Sequence, residues 1–480
     1  MTISRRKLIE PQITPFYHVI NRCVRRAYLC GDDPYNGKNY HHRRGWIVNK
    51  IKQLAAVFCI DVCAYAVMSN HYHLVLKIDI EQQQKLTQEA VISRWLQLFN
   101  GHPIAVDFLK EGQIAADKQK QRTAITLHIN HELLHLSFKL LMVKRMTISR
   151  RKLIEPQITP FYHVINRCVR RAYLCGDDPY NGKNYHHRRG WIVNKIKQLA
   201  AVFCIDVCAY AVMSNHYHLV LKIDTEQQQK LTPEEVISRW LQLFNGHPIA
   251  VDFLKEGQIG ADKQQALSNL VAEWQQRLGS ISWFMRCLNE EIARKANKED
   301  QCKGAFWEGR FKSQALLDEQ ALLSCMMYVD LNPIRAGVTP SLEQSDFTSI
   351  QQRIREYQQL KTSAKRSPSN KGHFQLLPFV GGEHKTKKAG INFAFADYLE
   401  LIDWTGRCIR NDKKGFIASS QPKILQQLGI TSDAWLEHSE QFMERYANVS
   451  GKWSQMCAFK QRIGGQWCKG KSASHQLHPN

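Results

Sequence analysis

The sequence predicts an α+β fold: a ferredoxin-like antiparallel sheet with helices packed on one face, followed by a small, mostly helical C-terminal appendage. Three observations lead there. Strand-like segments alternate with longer helical ones in the order strand, helix, strand, strand, helix, strand, helix. Two of the strands are joined by a short polar turn, Ser214-Asn215, which makes a hairpin. The chain has 480 residues, 44% of them hydrophobic, which allows real cores in two or three domains.

Phe161-Tyr162-His163-Val164-Ile165-Asn166-Arg167 alternates as a strand. A Gly/Asp/Asn-rich loop over 176–184 leads to a basic cluster of Lys183, His186, His187, Arg188 and Arg189. A helix is expected from Trp191 to Phe203, with Ile192, Ile196, Leu199 and Phe203 on one face. Residues 206–213 form the next strand, and Ser214-Asn215 turns it into the strand that starts at His216. Thr232-Pro233-Glu234-Glu235 opens a helix, with Thr232 as cap and Pro233 at its first position, and Asn245-Gly246-His247-Pro248 stops it. One long helix is expected over 265–296, and a strand over 305–313. Asp318 caps a helix that runs to Leu331 and ends at Pro333. After about 341 the chain changes character. The stretches 361–371 and 381–388 read as basic linkers, 395–402 and 421–428 as short helices, and the tail from 469 as disordered.

The strongest organisational feature is a repeat. Residues 1–119 recur as 146–264 with four changes: Ile80 becomes Thr225, Gln88 becomes Pro233, Ala90 becomes Glu235 and Ala115 becomes Gly260. A long, nearly identical copy indicates a recent duplication and not a solenoid. The connector 120–145 has no counterpart later, and only the second copy continues past 264. The expected division is therefore a truncated duplicate (1–119), the connector, an intact domain (146–345) and a linker with an accessory region (346–480). The first copy could be a built-in pseudo-dimer partner. The favoured reading is a truncated passenger or a gene-model error, with Met146 the natural start. Residues 1–145 lack half a core and are expected to fold poorly.

A net charge of +23 and a pI of about 9.5 point to a polyanionic partner, nucleic acid before membrane. Eleven tryptophans and sixteen tyrosines interleaved with that charge suit base stacking. No apolar run is long enough to span a bilayer, and the N-terminus lacks the apolar core of a secretory signal. Of fourteen cysteines, eight are Cys23, Cys30, Cys59 and Cys63 counted again as Cys168, Cys175, Cys204 and Cys208. None is spaced as a zinc pair, so they read as reduced thiols of a cytoplasmic protein.

The chemistry concentrates in two stretches. In Asn215-His216-Tyr217-His218-Leu219-Val220-Leu221, His216 and His218 project from the same face of a strand, half of a site for a divalent metal. Alone, such a pair is more often ordinary strand histidine. In Tyr328-Val329-Asp330-Leu331-Asn332-Pro333, Tyr328 and Asn332 share one helical face. Tyr328 would then be a nucleophile toward a phosphodiester, and the Asn332 amide oxygen a third ligand to Mg²⁺ or Mn²⁺. Tyr217 points away from the two histidines, and Tyr210 and Tyr162 read as packing. Arg310 and Lys312 are candidate phosphate contacts, a solvated edge being equally open; Arg335, Arg188 and Arg189 are further DNA-binding candidates.

With those residues in hand, 146–345 resembles the REP-associated tyrosine transposases of the HUH single-tyrosine superfamily. The motifs are Tyr162-His163-Val164-Ile165-Asn166-Arg167, Met213-Ser214-Asn215-His216-Tyr217-His218-Leu219-Val220, Trp307-Glu308-Gly309-Arg310-Phe311-Lys312 and Tyr328-Val329-Asp330-Leu331-Asn332-Pro333-Ile334-Arg335-Ala336-Gly337. The resemblance implies metal ligation by His216, His218 and Asn332, with Tyr328 as nucleophile. It also implies cleavage and rejoining of single-stranded DNA at hairpin-forming repeats by a monomer or homodimer. Departures are Ser214 where the family often has proline, an extended C-terminal region and the duplicated front. Two other readings stay open: a catalytically inactive nucleic-acid-binding protein on the same sheet, and an unrelated His-x-His phosphoesterase. A covalent DNA adduct that depends on Tyr328 separates the three.

Overall fold

The computed structural model describes residues 13–23, 29–33, 37–98, 153–169, 173–178, 182–362, 375–381, 390–409, 421–465 and 467–479. The connector 120–145, and most of 361–371 and 381–388, lie outside the described residues. Two compact units result, Met1–Thr147 and Ile148–Asn480.

The first unit contains β1 (Phe16–Arg22), α1 (His42–Val57), β2 (Ile60–Val67), β3 (His71–Ile78), α2 (Ile80–Gln84) and α3 (Gln88–Leu96). Its three strands pair antiparallel in the order β1-β3-β2. A small core gathers Leu54, Val57 and Phe58 from the end of α1 against Leu74, Leu76 and Ile78 of β3.

The second unit repeats this plan and completes it. β4 (Phe161–Arg167), α4 (His187–Val202), β5 (Ile205–Val212) and β6 (His216–Ile223) are followed by α5 (Thr225–Lys230), α6 (Pro233–Leu241), α7 (Pro248–Glu256), α8 (Ala261–Leu278) and α9 (Ile281–Glu299). Then come β7 (Lys312–Leu316), α10 (Glu319–Asp330), α11 (Asn332–Arg335) and α12 (Ser349–Thr362). The chain ends with α13 (Phe395–Ile409), α14 (Lys423–Leu428), α15 (Ser432–Arg445), β8 (Val449–Ser450), α16 (Trp453–Arg462) and α17 (Lys471–Leu477). The sheet runs β5-β6-β4-β7-β8, and its first four strands are antiparallel in the order of a ferredoxin-like sheet. The fold is α+β.

β6 explains why this sheet is covered twice. Tyr217, Leu219 and Leu221 alternate with His218 and Val220, and all five are buried. On the Tyr217 side, Asn289 of α9 accepts a hydrogen bond from the Tyr217 hydroxyl at 2.6 Å. On the His218 side lies Tyr328 of α10. The expected helical layer is thus joined by α10 on the opposite face.

Several local expectations change. The long helix breaks at Gly279-Ser280 into α8 and α9, because the glycine supplies no side chain and Ser280 turns extended (φ −100°, ψ 113°). The strand expected over 305–313 forms later, as β7, and Trp307 pairs with Cys168 as an isolated bridge. Pro333 does not end the chain's helical course but lies in the first turn of α11, where its missing N–H costs nothing. The tail forms α17, held by the Ser474 hydroxyl donating to the Gly451 carbonyl at 2.7 Å and by burial of Leu477. Nor is the C-terminal region peripheral. β8 pairs parallel with β7, and α15 packs on α10.

Candidate active site

β6 is flanked by strands on both sides, which fixes its backbone and so the face on which each side chain stands. His216 and His218 sit one pleat apart with ring centroids 4.9 Å from each other. The Nδ1 of His216 lies 2.6 Å from the Asn215 side-chain oxygen. His218 is 2% exposed, and its Nδ1 is 2.9 Å from Nε2 of His163 on β4. The His163 and His218 rings stack 5.2 Å apart. His163 Nδ1 in turn faces the Gln314 side-chain oxygen of β7 at 3.3 Å, and the Gln314 amide nitrogen donates to the Ala447 carbonyl at 3.1 Å.

All three imidazoles are neutral at ordinary pH. Burial, reinforced by the charges of Arg167 and Arg335, pushes His216 down to about 4. Burial pushes His163 to about 4 and His218 well below the usual histidine range. A neutral imidazole keeps one ring lone pair, the form that ligates metals. The Nε2 of His218 is buried and has no hydrogen-bond partner. A bare, buried imidazole nitrogen is costly in any other role, so the pair fits a divalent cation. Among the described residues no group of three His, Cys, Asp or Glu side chains is arranged to hold a metal. Further donors would therefore be of other chemistry, such as an amide or a phosphate oxygen. Asn332, the first residue of α11, is buried one helical turn past Tyr328.

Tyr328 comes from α10, whose start is fixed by the Asp318 side chain accepting from the Ala321 N–H. Its ring centroid lies 5.7 Å from that of His218, 6.3 Å from His163 and 5.9 Å from Phe442 of α15. The Arg335 guanidinium carbon sits 3.9 Å above the Tyr328 ring. Arg335 also donates to the carbonyls of Ser439 and Glu440, at 3.0 and 2.8 Å. Those carbonyls directly precede the kink of α15 at Gln441. The far end of α10 is pinned by the buried Asp330 carboxylate, which accepts from the Ser349 hydroxyl, the Ile350 N–H and the Tyr398 hydroxyl. Burial raises Asp330 to about 6 against the pull of these donors.

The site therefore brings together His216, His218 and Tyr328, with Arg335 on the tyrosine. Arg310 and Lys312 are exposed at the start of β7. Arg188 and Arg189, by contrast, are buried and engaged within the protein. Arg188 is fully buried and forms ion pairs with Glu299 and Asp300 at 2.6 Å each, at the end of α9. Arg189 is also buried, with its Nε 3.4 Å from the Cys175 sulfur. Acidic groups 111 and 112 residues away claim the Arg188 charge, and no local pattern announces that. Sequence reasoning also missed His163, Gln314 and Phe442. His163 carried a signal, a histidine amid strand alternation in Tyr162-His163-Val164; Phe442 carried none.

No family model matches the chain, and no curated protein matches it in sequence. Among solved structures, a REP-associated tyrosine transposase bound to a REP hairpin aligns with 45% of this chain and 92% of its own, at 10% identity and a TM-score of 0.25. A likeness at that level carries no functional weight, so the reading of the site rests on its own residues.

Proposed function

We propose that this protein is a metal-dependent tyrosine transposase, a single-stranded DNA endonuclease and strand transferase acting on hairpin-forming repeats. One observation carries the reading: a tyrosine ring packed 5.7 Å from a buried histidine whose outer nitrogen has no partner. His216 and His218 would hold Mg²⁺ or Mn²⁺, with Asn332 as an oxygen donor. Bound there, the ion would supply polarisation of the scissile phosphate.

The remaining chemistry belongs to the chain. The Tyr328 hydroxyl forms a bond to phosphorus as the bond from phosphorus to the 3′ oxygen breaks, and the phenolic proton is balanced by protonation of that 3′ oxygen. The phosphotyrosine conserves the bond energy, so rejoining needs no nucleotide cofactor. Arg335 stacks on the phenol and is held by two carbonyls, which limits the positions Tyr328 can take. The net charge of +23 favours a nucleic-acid substrate, with Arg310 and Lys312 as exposed phosphate contacts.

The test is incubation of the protein with labelled hairpin DNA and Mn²⁺, followed by denaturing electrophoresis. The expected result is a covalent protein–DNA adduct that is lost in Tyr328→Phe and in His216→Ala. Binding without an adduct would instead identify an inactive nucleic-acid-binding protein. Turnover that survives Tyr328→Phe would identify a phosphoesterase of another kind.

A further inference from the structure

His163 and Gln314 have no part in the chemistry above, yet they line up behind one of its ligands. The chain of contacts has a direction. The Ala447 carbonyl can only accept, so the Gln314 atom facing it at 3.1 Å is the amide nitrogen. That turns the Gln314 oxygen toward His163, and an amide oxygen can only accept, so His163 Nδ1 at 3.3 Å carries the proton. A neutral imidazole has one N–H; the Nε2 of His163 is therefore an acceptor. Facing it at 2.9 Å, His218 Nδ1 must donate. What remains on His218 is a lone pair on Nε2, in the position left buried and without a partner.

We infer that His163 and Gln314 are positioning residues that lock His218 in the tautomer presenting its Nε2 lone pair to a divalent cation, an inference that rests on the function proposed above. The relay starts at a backbone carbonyl of the C-terminal region and crosses β7 and β4 to reach β6. The three side chains of the relay, Gln314, His163 and His218, are all buried. The first copy provides an internal contrast. His18 Nε2 and His73 Nδ1 lie 3.0 Å apart in the same way. The repeated sequence ends at residue 119, however, before any counterpart of Gln314 or Ala447. Among the described residues no amide or carbonyl imposes a direction on that histidine contact, and either tautomer can form.

The experiment uses the full chain carrying His71→Ala and His73→Ala, so that the first copy's histidine pair does not report. Imidazole ¹⁵N shifts of the metal-free protein give the His218 tautomer, assigned by loss of its signals in His218→Gln. Mn²⁺ affinity is read by electron paramagnetic resonance. The expected result is an Nδ1-protonated His218 in the parent. In His163→Phe that preference is lost and Mn²⁺ binds roughly 10- to 100-fold more weakly, with adduct formation recovering at high Mn²⁺. Gln314→Leu shifts both readouts in the same direction, by less. His163→Gln, which returns an amide acceptor close to the lost nitrogen, restores the tautomer and the affinity.

An unchanged tautomer and affinity in His163→Phe overturn the inference. Should His163→Phe unfold, His163→Gln decides: parental affinity supports the relay, and weakened affinity in a folded protein overturns it. A parent that binds Mn²⁺ but forms no DNA adduct overturns the proposed function while leaving the relay standing. A parent that binds no Mn²⁺ overturns both.

Discussion

Tyr65 and Tyr210 occupy the same position of the same eight-residue strand, Ile-Asp-Val-Cys-Ala-Tyr-Ala-Val, yet one is 50% exposed and the other 3%. Met68 and Met213, just beyond, are 47% and 5% exposed. The strands pair in the same register in both copies, down to the irregularity at Val62/Ala64 and Val207/Ala209. Local sequence and strand pairing are therefore enough to draw the sheet but not to bury it. In the second unit Tyr210 packs below α12, its backbone N–H bonded to the Ser349 hydroxyl and its own hydroxyl to Gln352. β4 gains β7 along an edge that β1 leaves unpaired among the described residues. The repeated sequence stops at residue 119, before any counterpart of β7 or α12.

The contrast can be broken most directly by separating the copies. Residues 146–480 alone are expected to form the DNA adduct at the full-length rate, and 1–145 alone to form none. An electrophoretic assay that finds activity lost with the first copy would refute its status as a passenger. Next in size are matched truncations. Tyr210→Ala should cost about 3–5 kcal/mol in the denaturant unfolding of 146–480, the range for removing a buried ring. Tyr65→Ala in the full chain should change stability by no more than about 0.5 kcal/mol, as for an exposed site.

Acid titration sharpens the comparison further. Folded His163 is held near pKa 4 by burial, against about 6.5 unfolded. Its contribution is fully present above pH 6.5 and is lost as pH falls toward 4, since only the unfolded chain takes up the proton. The slope is about 1.4 kcal/mol per pH unit for this one group. His163→Phe should flatten unfolding free energy between pH 6.5 and 4 by that amount; Asp330, raised to about 6, tilts stability the other way over the lower part of the same window. The smallest effect lies at a helix start. Thr232 and Glu235 form a reciprocal capping box on α6, whereas the first copy has Ala90 at the matching position and keeps only the Thr87 half. Glu235→Ala should cost about 0.5–1 kcal/mol, measured by thermal unfolding.

The same contrast explains what the sequence disclosed. The β5–β6 hairpin and the pairing of His216 with His218 were legible, because two-residue alternation and a Ser-Asn turn are local signals. The capped starts of α6 and α10 were legible for the same reason: Thr232 and Asp318 act on backbone groups three residues away. The burial of Arg188 was not, since its partners Glu299 and Asp300 lie on another helix. Nor was the wall that Phe442 gives to Tyr328, which joins residues 114 positions apart. The tail from 469 looked polar enough for disorder. Its helix is held by tertiary bonds, such as Ser474 to Gly451, that composition does not reveal.

The guanidinium of Arg335 grips two carbonyls where α15 bends, and the same group sits over the ring of Tyr328. Any swing of that phenol must therefore either slide under the arginine or carry the bent helix with it. Cutting the chain just before residue 432 would free the arginine's hands, and the tyrosine would lose its bearing along with them.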